Sequence, residues 1–274
     1  MKSQYRFIFI LLLMSGRSEL HAQSNLFHPD FATGARATAM GQSTFLSFSD
    51  AIAVFQNPSS ISQAQQTTAS MFFTKLLSTT NYDLGLVIPT EHDGAFGISL
   101  FRISTEVPGL DRTIISEQTH FLFTYGIALS EKLAFGFNAK FVSGTFWGNP
   151  SQVSSPGIDF GLQHLPGASN KLLQNLRFGL TIDNLVRPAM EFGAQQEFLP
   201  RKIRAIVEND LSWGDHAITL VGNLLLPEDT SQNGDYSLHG GLEYDYRSLS
   251  IRTLYRTQFL PLLPLDNQRQ LNWK

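Results

Sequence analysis

The segment THFLFTYGIAL, residues 119–129, decides the fold because its side chains alternate between two chemical kinds. One set is large and mostly apolar: Thr119, Phe121, Phe123, Tyr125, Ile127 and Leu129. The other set is small or polar: His120, Leu122, Thr124, Gly126 and Ala128. Successive side chains of a β-strand point to opposite faces of the sheet. The segment therefore predicts a strand with one aromatic and aliphatic face and one face of small or polar residues.

The same alternation recurs along the chain and predicts about eleven strands. They cover residues 68–75, 82–88, 96–100, 119–129, 133–141, 158–162, 176–182, 202–211, 216–226, 236–244 and 249–257. The connections at 91–94 and 213–215 have the composition of tight turns. Those at 107–116, 148–156, 165–174 and 185–200 are predicted to be long. Short turns mixed with long loops are typical of a transmembrane β-barrel.

Alternation alone also fits a water-soluble sandwich, in which the apolar faces pack inward. Three features favour the barrel: scarce charge beside faces dense in Phe, Leu and Tyr, glycines in the middle of strands on the opposite face, and the N-terminal export signal. Charged residues make up only 16% of the chain, against roughly 25% in an ordinary soluble domain. After the first 14 residues, no apolar run is long enough for a membrane-spanning helix, although the chain contains 22 Phe. We therefore predict an all-β fold, an antiparallel transmembrane β-barrel.

Glycine recurs in the middle of the predicted strands, on the face opposite the large apolar residues. The positions are Gly85, Gly97, Gly126, Gly136, Gly161 and Gly179. Glycine weakens a strand unless another part of the molecule approaches closely there. We expect a plug inside the barrel to lie against these glycines.

The N-terminus predicts export. Lys2 and Arg6 precede the apolar run Phe7–Met14, and a polar stretch then ends at Ala22. This pattern is that of a signal peptide cleaved after Ala22. The predicted organisation is a signal peptide at 1–22, a helical plug segment at 23–66, barrel strands at 67–258 and an irregular tail at 259–274. Without cysteine the chain has no acceptor for a lipoprotein anchor, and its net charge of −3 argues against nucleic acid as a partner.

The plug segment carries an ordered motif. It contains GARATAMG at 34–41, an acidic residue and Ala at 50–51, and Asn-Pro at 57–58. Alanine-rich stretches bounded by Gly and by Asn-Pro predict short helices with sharp turns. Pro58 should fix a turn and hold Asn57 outside a helix. Arg36 should pair with Asp50 or with a carboxylate facing the barrel interior, such as Asp83 or Asp159, because a buried guanidinium requires a partner.

This motif resembles the start of the PorV/PorQ family of bacteroidete outer-membrane barrels, which are similar to FadL-type fatty-acid transporters. The family opens G-A-R-A-x-A-M-G-G, continues with an acidic residue and Ala, and reaches N-P-A. Here Gln42 replaces the second Gly, and Ser59 replaces the Ala. The resemblance covers residues 34–257. Its motif residues, expected to be plug architecture rather than ligand contacts, are Gly34, Arg36, Met40, Gly41, Asp50, Asn57 and Pro58.

The resemblance implies an outer-membrane location and a non-enzymatic accessory of type IX secretion. Outer-membrane lipid and secretion-system proteins or secreted cargo would be its partners. A FadL-like channel for hydrophobic small molecules and a structural barrel without cargo are the alternatives. The family closes near 14 strands, whereas Pro261 and Pro264 oppose a strand in the tail. We therefore expect that the barrel lacks its last strands.

No catalytic, cofactor or metal site is predicted. The seven His residues lack the spacing of metal ligands, and the chain has neither a G-x-S-x-G elbow nor a phosphate-binding loop. His120 and His239 lie on predicted interior faces, whereas a lipid hydrolase would need its catalytic residues facing lipid. We expect no enzyme.

Overall fold

A computed structural model describes residues 33–91, 94–108, 113–145, 153–167, 169–170, 172–192, 195–227 and 236–259. The predicted signal peptide, residues 23–32 of the predicted plug segment and residues 260–274 of the predicted tail lie outside the described residues. Among the described residues, no helix is long and apolar enough to cross a membrane.

Strands dominate the described part of the chain. They are β1 Thr68–Leu76, β2 Thr79–Pro89, β3 Gly94–Pro108, β4 Thr113–Ser130, β5 Leu133–Thr145, β6 Val153–His164, β7 Arg177–Val186, β8 Ala189–Phe192, β9 Gln195–Phe198, β10 Lys202–Trp213, β11 His216–Pro227, β12 Tyr236–Tyr246 and β13 Leu249–Phe259. Three short helices precede them: α1 Ala35–Ala39 and the 3-10 helices η1 Ala51–Phe55 and η2 Pro58–Gln63.

Eleven of the strands form one antiparallel sheet in the order β1-β2-β3-β4-β5-β6-β7-β10-β11-β12-β13. The prediction of an all-β, antiparallel fold is confirmed. The hairpin β8–β9 is a separate two-stranded sheet between β7 and β10. Within the described residues β1 and β13 are edge strands that do not pair with each other, so the sheet is an open, barrel-like wall. The expectation of further strands stays a prediction.

Three of the four long connections predicted from the sequence were wrong at least in part. β6 begins at Val153, inside the predicted loop 148–156. Residues 107–108 pair with 113–114, so β3 and β4 continue well into the predicted loop 107–116. The hairpin β8–β9 lies within the predicted loop 185–200. In none of these segments do apolar and polar residues alternate at every second position, so a search for that period finds no strand there.

The two faces of the sheet have opposite chemistry, and the polar one is buried. On β5, Asn138 is 2% exposed and Lys140 is 7% exposed, whereas Phe137 is 41% and Phe141 is 49% exposed. β2 has the same alternation, with Asp83 buried and Leu84 exposed. A water-soluble sandwich would bury the phenylalanines. We call the buried face lumenal and the exposed face outer.

The connections define two rims of the wall. Two-residue turns at 131–132, 214–215 and 247–248 lie at one end of the strands, which we call the tight-turn rim. The long connection 165–176 between β6 and β7 lies at this end too. The hairpin β8–β9 and the longer connections between β5 and β6 and between β11 and β12 lie at the opposite end, the loop rim. The two-residue turn 77–78 between β1 and β2 lies at this end as well. Residues 33–66, which we call the plug, approach β1 from the tight-turn rim.

Candidate functional site

The plug is built from short helices with side-chain caps. Asp50 caps η1 by accepting a hydrogen bond from the Ile52 N–H (2.8 Å). Asn57 caps η2 by accepting one from the Ser59 N–H (3.1 Å), and Pro58 occupies the first position of that helix. The backbone of Asn57 is extended, at φ −152° and ψ 107°. The predicted short helices and the turn at Asn57-Pro58 are confirmed.

Helix η2 rests on a row of three glycines. Gly126, Gly136 and Gly161 lie directly opposite one another in β4, β5 and β6. A Cβ atom on Gly136 would overlap the carbonyl group of Pro58, and one on Gly126 would stand 2.8 Å from the same oxygen. A Cβ atom on Gly161 would stand 2.9 Å from the Pro58 ring. Only glycine allows the plug backbone to approach the wall this closely.

The other three predicted glycines also contact the plug. A Cβ atom on Gly85 would stand 2.5 Å from the Ala51 carbonyl oxygen, and one on Gly97 would stand 3.1 Å from Val54. At Gly179 the Leu46 side chain occupies the space. The prediction that a plug lies against all six glycines is confirmed.

Polar side chains of the wall hold the plug backbone at points around the sheet. The fully buried carboxylate of Glu208 on β10 accepts hydrogen bonds from two plug N–H groups, those of Leu46 (2.6 Å) and Ser47 (3.2 Å). Four more wall side chains bond to plug backbone groups: Asp83 to Gly34 N–H, Ser70 to Ala51 N–H, Asn223 to Thr44 N–H and Asn138 to the Val54 carbonyl. These bonds satisfy backbone groups that would otherwise be buried without partners.

Arg36 pairs with Glu243 on β12 at 3.1 Å and lies over the Phe45 ring at 4.0 Å. The expectation of a lumenal carboxylate partner is confirmed, but the three residues named for it were wrong. Asp50 caps η1, Asp83 accepts a hydrogen bond from the Gly34 N–H, and Asp159 pairs with Lys140. Glu243 belongs to a strand more than 200 residues away, and nothing local in the sequence indicates which strand faces α1.

Met40 and Gly41 complete the contact between α1 and the wall. Met40 is fully buried in a cluster with Phe45, Leu46, Ile206 and Val221. Gly41 has φ +71°, and a Cβ atom there would stand 3.1 Å from Leu254. Gln42 follows with φ +64°, a region that disfavours side chains other than glycine. The backbone therefore explains why a second glycine suits this position.

A cavity of about 110 Å³ lies between the plug and the lumenal face. Two ion pairs line it, Lys140–Asp159 at 2.5 Å and Arg204–Asp183 at 2.8 Å. His120 and His239 line it too, on the lumenal face as predicted. Its apolar lining comes from Phe55, Phe101, Leu122, Leu225 and Ala37.

Charged and hydrogen-bonding side chains line the cavity, and they bind to one another or to nearby protein groups. Asp159 also accepts a hydrogen bond from the Asn184 N–H at 2.7 Å, and the His120 ring contacts Phe101 edge-on at 5.3 Å between centroids. In the described part of the chain, no group of three or more His, Asp or Glu side chains is placed to hold a metal ion. The absence of an enzyme activity, a cofactor and a metal stays a prediction.

The sequence left the ion pairs of the lumen unidentified. Their only local signal was a charged residue at a position where the alternating pattern predicts the small or polar face, as at Lys140 and Glu208.

No protein-family model and no curated protein matches the sequence.

Proposed function

We propose that this chain is a non-enzymatic outer-membrane β-barrel protein whose outer face contacts lipid. The observation that supports it best is the reversed distribution of side chains. Polar and charged residues are buried against the plug, whereas large apolar residues are exposed on the outer face. Large apolar patches exposed on a protein indicate contact with another apolar phase or partner, and the outward apolar, inward polar alternation is typical of outer-membrane barrels.

The apolar residues of the outer face form a continuous band of exposed and half-buried side chains. One row of directly paired outer-face residues crosses eight strands: Ile88, Phe96, Tyr125, Phe137, Phe160, Ile182, Ile203 and Leu226. On β4 the apolar positions extend from Phe121 to Leu129. At about 3.3 Å per residue this run is roughly 27 Å long, or about 20 Å high at a strand tilt of about 40°. That height is close to the roughly 25 Å apolar band of an outer-membrane barrel.

The filled lumen argues against an open diffusion pore. The plug contacts strands at both ends of the sheet, from β2 at Asp83 to β12 at Glu243. We therefore propose that the protein acts through its surfaces and loops, as an accessory of type IX secretion that holds or shuttles exported cargo. The resemblance of residues 34–58 to the PorV/PorQ motif supports this role.

A FadL-like channel for hydrophobic small molecules is the second candidate. The apolar part of the cavity lining, which includes Phe101 and Leu122, favours it. The two ion pairs beside them oppose it, because a hydrophobic ligand would have to lie against charged groups.

Deletion of the gene in its source bacterium separates these roles. We expect secreted cargo to stay unexported, and we expect the tagged protein to co-purify with cargo or translocon proteins. Complementation with the wild-type gene is the control. Normal export combined with a loss of fatty-acid uptake would replace the accessory role by the channel. Normal export with normal uptake would contradict both.

A further inference from the structure

The two ion pairs that line the cavity between plug and lumenal face differ in how completely their carboxylates are bonded. Asp159 Oδ1 accepts hydrogen bonds from Lys140 Nζ and from the Asn184 N–H. Its Oδ2 accepts one from the Asn138 side chain. Only 9% of the Asp159 side chain is exposed. The carboxylate of this pair is therefore saturated by groups of the wall.

The second pair, Arg204 and Asp183, retains free hydrogen-bonding groups beside the cavity. The contact joins Arg204 Nη2 to Asp183 Oδ2 at 2.8 Å. A guanidinium carries five N–H donors, and a carboxylate has two acceptor oxygens. Among the described residues, neither the other donors of Arg204 nor the Oδ1 atom of Asp183 has a partner. Both side chains line the cavity and keep 18% and 14% of their surface exposed.

Apolar side chains lie next to this pair. Leu225 is directly paired with Arg204 across β10 and β11, and it lines the cavity. Phe101 on β3 and Leu122 on β4 line it as well. The cavity therefore places free groups of both charges beside an apolar surface.

The pair restricts the charge that a ligand can carry. An anion alone would bind Arg204 but would lie beside the negative Asp183 carboxylate, and a cation alone would meet the reverse problem. An uncharged apolar ligand would remove water from both groups without replacing its hydrogen bonds. A ligand with one carboxylate and one ammonium group satisfies both residues and leaves no buried charge without a partner.

The volume of the cavity restricts the size of the ligand. About 110 Å³ is room for roughly seven to eleven water molecules at about 10–15 Å³ each. Leucine, with about nine non-hydrogen atoms, is of that size. A long-chain fatty acid, with about eighteen, is roughly twice too large.

We infer that this cavity binds a free aliphatic α-amino acid. The carboxylate of the ligand binds Arg204, because a guanidinium can donate to both carboxylate oxygens at once. Its ammonium group binds Asp183, and its side chain packs on Leu225, Leu122 and Phe101. The site depends neither on the membrane location nor on the secretion role. It also differs from a channel for hydrophobic molecules, because such molecules carry no ammonium group.

Equilibrium dialysis of the full-length protein in detergent against radiolabelled L-leucine tests this inference. We expect saturable binding of one leucine per chain. Unlabelled 4-methylpentanoate lacks the ammonium group and isopentylamine lacks the carboxylate, so each should compete at least about tenfold more weakly than unlabelled leucine. The inference is wrong if leucine is not retained, or if 4-methylpentanoate competes as well as leucine does. Retention of radiolabelled palmitate without retention of leucine would also overturn it, in favour of the channel.

A double variant, Arg204→Met with Asp183→Leu, tests the assigned pair. It removes both charges together, since the loss of one partner alone would leave the other buried and unpaired. We expect leucine binding to weaken at least about tenfold while circular dichroism shows an unchanged strand content. Arg102→Met is the control, because Arg102 forms an exposed ion pair with Glu117 away from the cavity. Leucine binding by the double variant equal to that of the control would show that this pair does not hold the ligand.

Discussion

Gly136 shows at the scale of one residue how the plug and the wall depend on each other. Its missing side chain makes room for the Pro58 carbonyl group, and backbone cannot move aside as a flexible side chain can. A close contact at this position could be predicted from the sequence, because glycine in the middle of a strand weakens it and often marks a place where another backbone approaches closely. The element that fills the space could be named only as a plug, and its register against β4, β5 and β6 could not.

Gly136→Ala should destabilise the folded protein by about 2–3 kcal/mol, because the new methyl group overlaps backbone atoms of the plug. Urea titration in detergent, read by the migration of the unheated protein on a gel, measures the free energy of unfolding. Gly240→Ala is the matched control, because a Cβ atom there would have no neighbour nearer than 3.9 Å. Equal stability of the two variants would contradict the close approach of η2.

Glu243→Gln should cost about 2–3 kcal/mol, because it leaves the guanidinium groups of Arg36 and Arg252 without their shared carboxylate. The loss is smaller than for a fully buried pair, since the Arg252 side chain is 32% exposed. Asp215→Asn breaks an exposed pair with Arg247 and should cost about 0–1 kcal/mol. The same urea titration compares them. A Glu243→Gln protein as stable as Asp215→Asn would show that Arg36 does not hold α1 to the wall.

At the scale of the element, the stability of the plug helices η1 and η2 depends on their side-chain caps. Each helix has only five or six residues, too few to be stable through its own backbone hydrogen bonds. Asn57→Ala should cost about 1–2 kcal/mol, since the fully buried Ser59 N–H loses its only side-chain acceptor among the described residues. Asp50→Ala, at the cap of η1, should cost about 0.5 kcal/mol because the half-buried site admits water.

Hydrogen exchange of the Ser59 amide checks the Asn57 prediction independently. We expect faster exchange in the Asn57→Ala protein and unchanged exchange at Ser59 in the Asp50→Ala protein. Unchanged exchange in both would mean that the wall alone positions η2.

The strands were predictable only where they carry apolar side chains. Alternation located the centres of all eleven strands of the main sheet, because large apolar residues and small or polar residues take turns along the strand there. It missed the polar ends of β3 and β4 and the four-residue strands β8 and β9. Strands of four residues contain too few positions to show a period.

At the scale of the whole molecule, alternation could not choose between a barrel and a sandwich, since both need strands with two different faces. In the structure the buried face is the polar one. It carries Asp159 and Glu208, whereas the exposed outer face carries phenylalanines. The predicted motif residues all belong to the plug, whereas the charged cavity depends on how strands distant in sequence meet.

Phe123→Lys should reduce insertion into lipid vesicles by about 2–4 kcal/mol, because it places a charge in the middle of the apolar band. Leu77→Lys is the control, since Leu77 is 91% exposed in the turn between β1 and β2, outside the band. The folded fraction after refolding into vesicles measures both. If both lysines are tolerated equally, the outer face does not contact lipid.

The most direct test of the membrane claim is flotation of the full-length protein, refolded with phosphatidylcholine vesicles, through a density gradient at alkaline pH. The account predicts that the protein rises with the vesicles, resists alkaline extraction and migrates differently on gels before and after heating. A protein that stays at the bottom of the gradient and is monodisperse in buffer without detergent would contradict it.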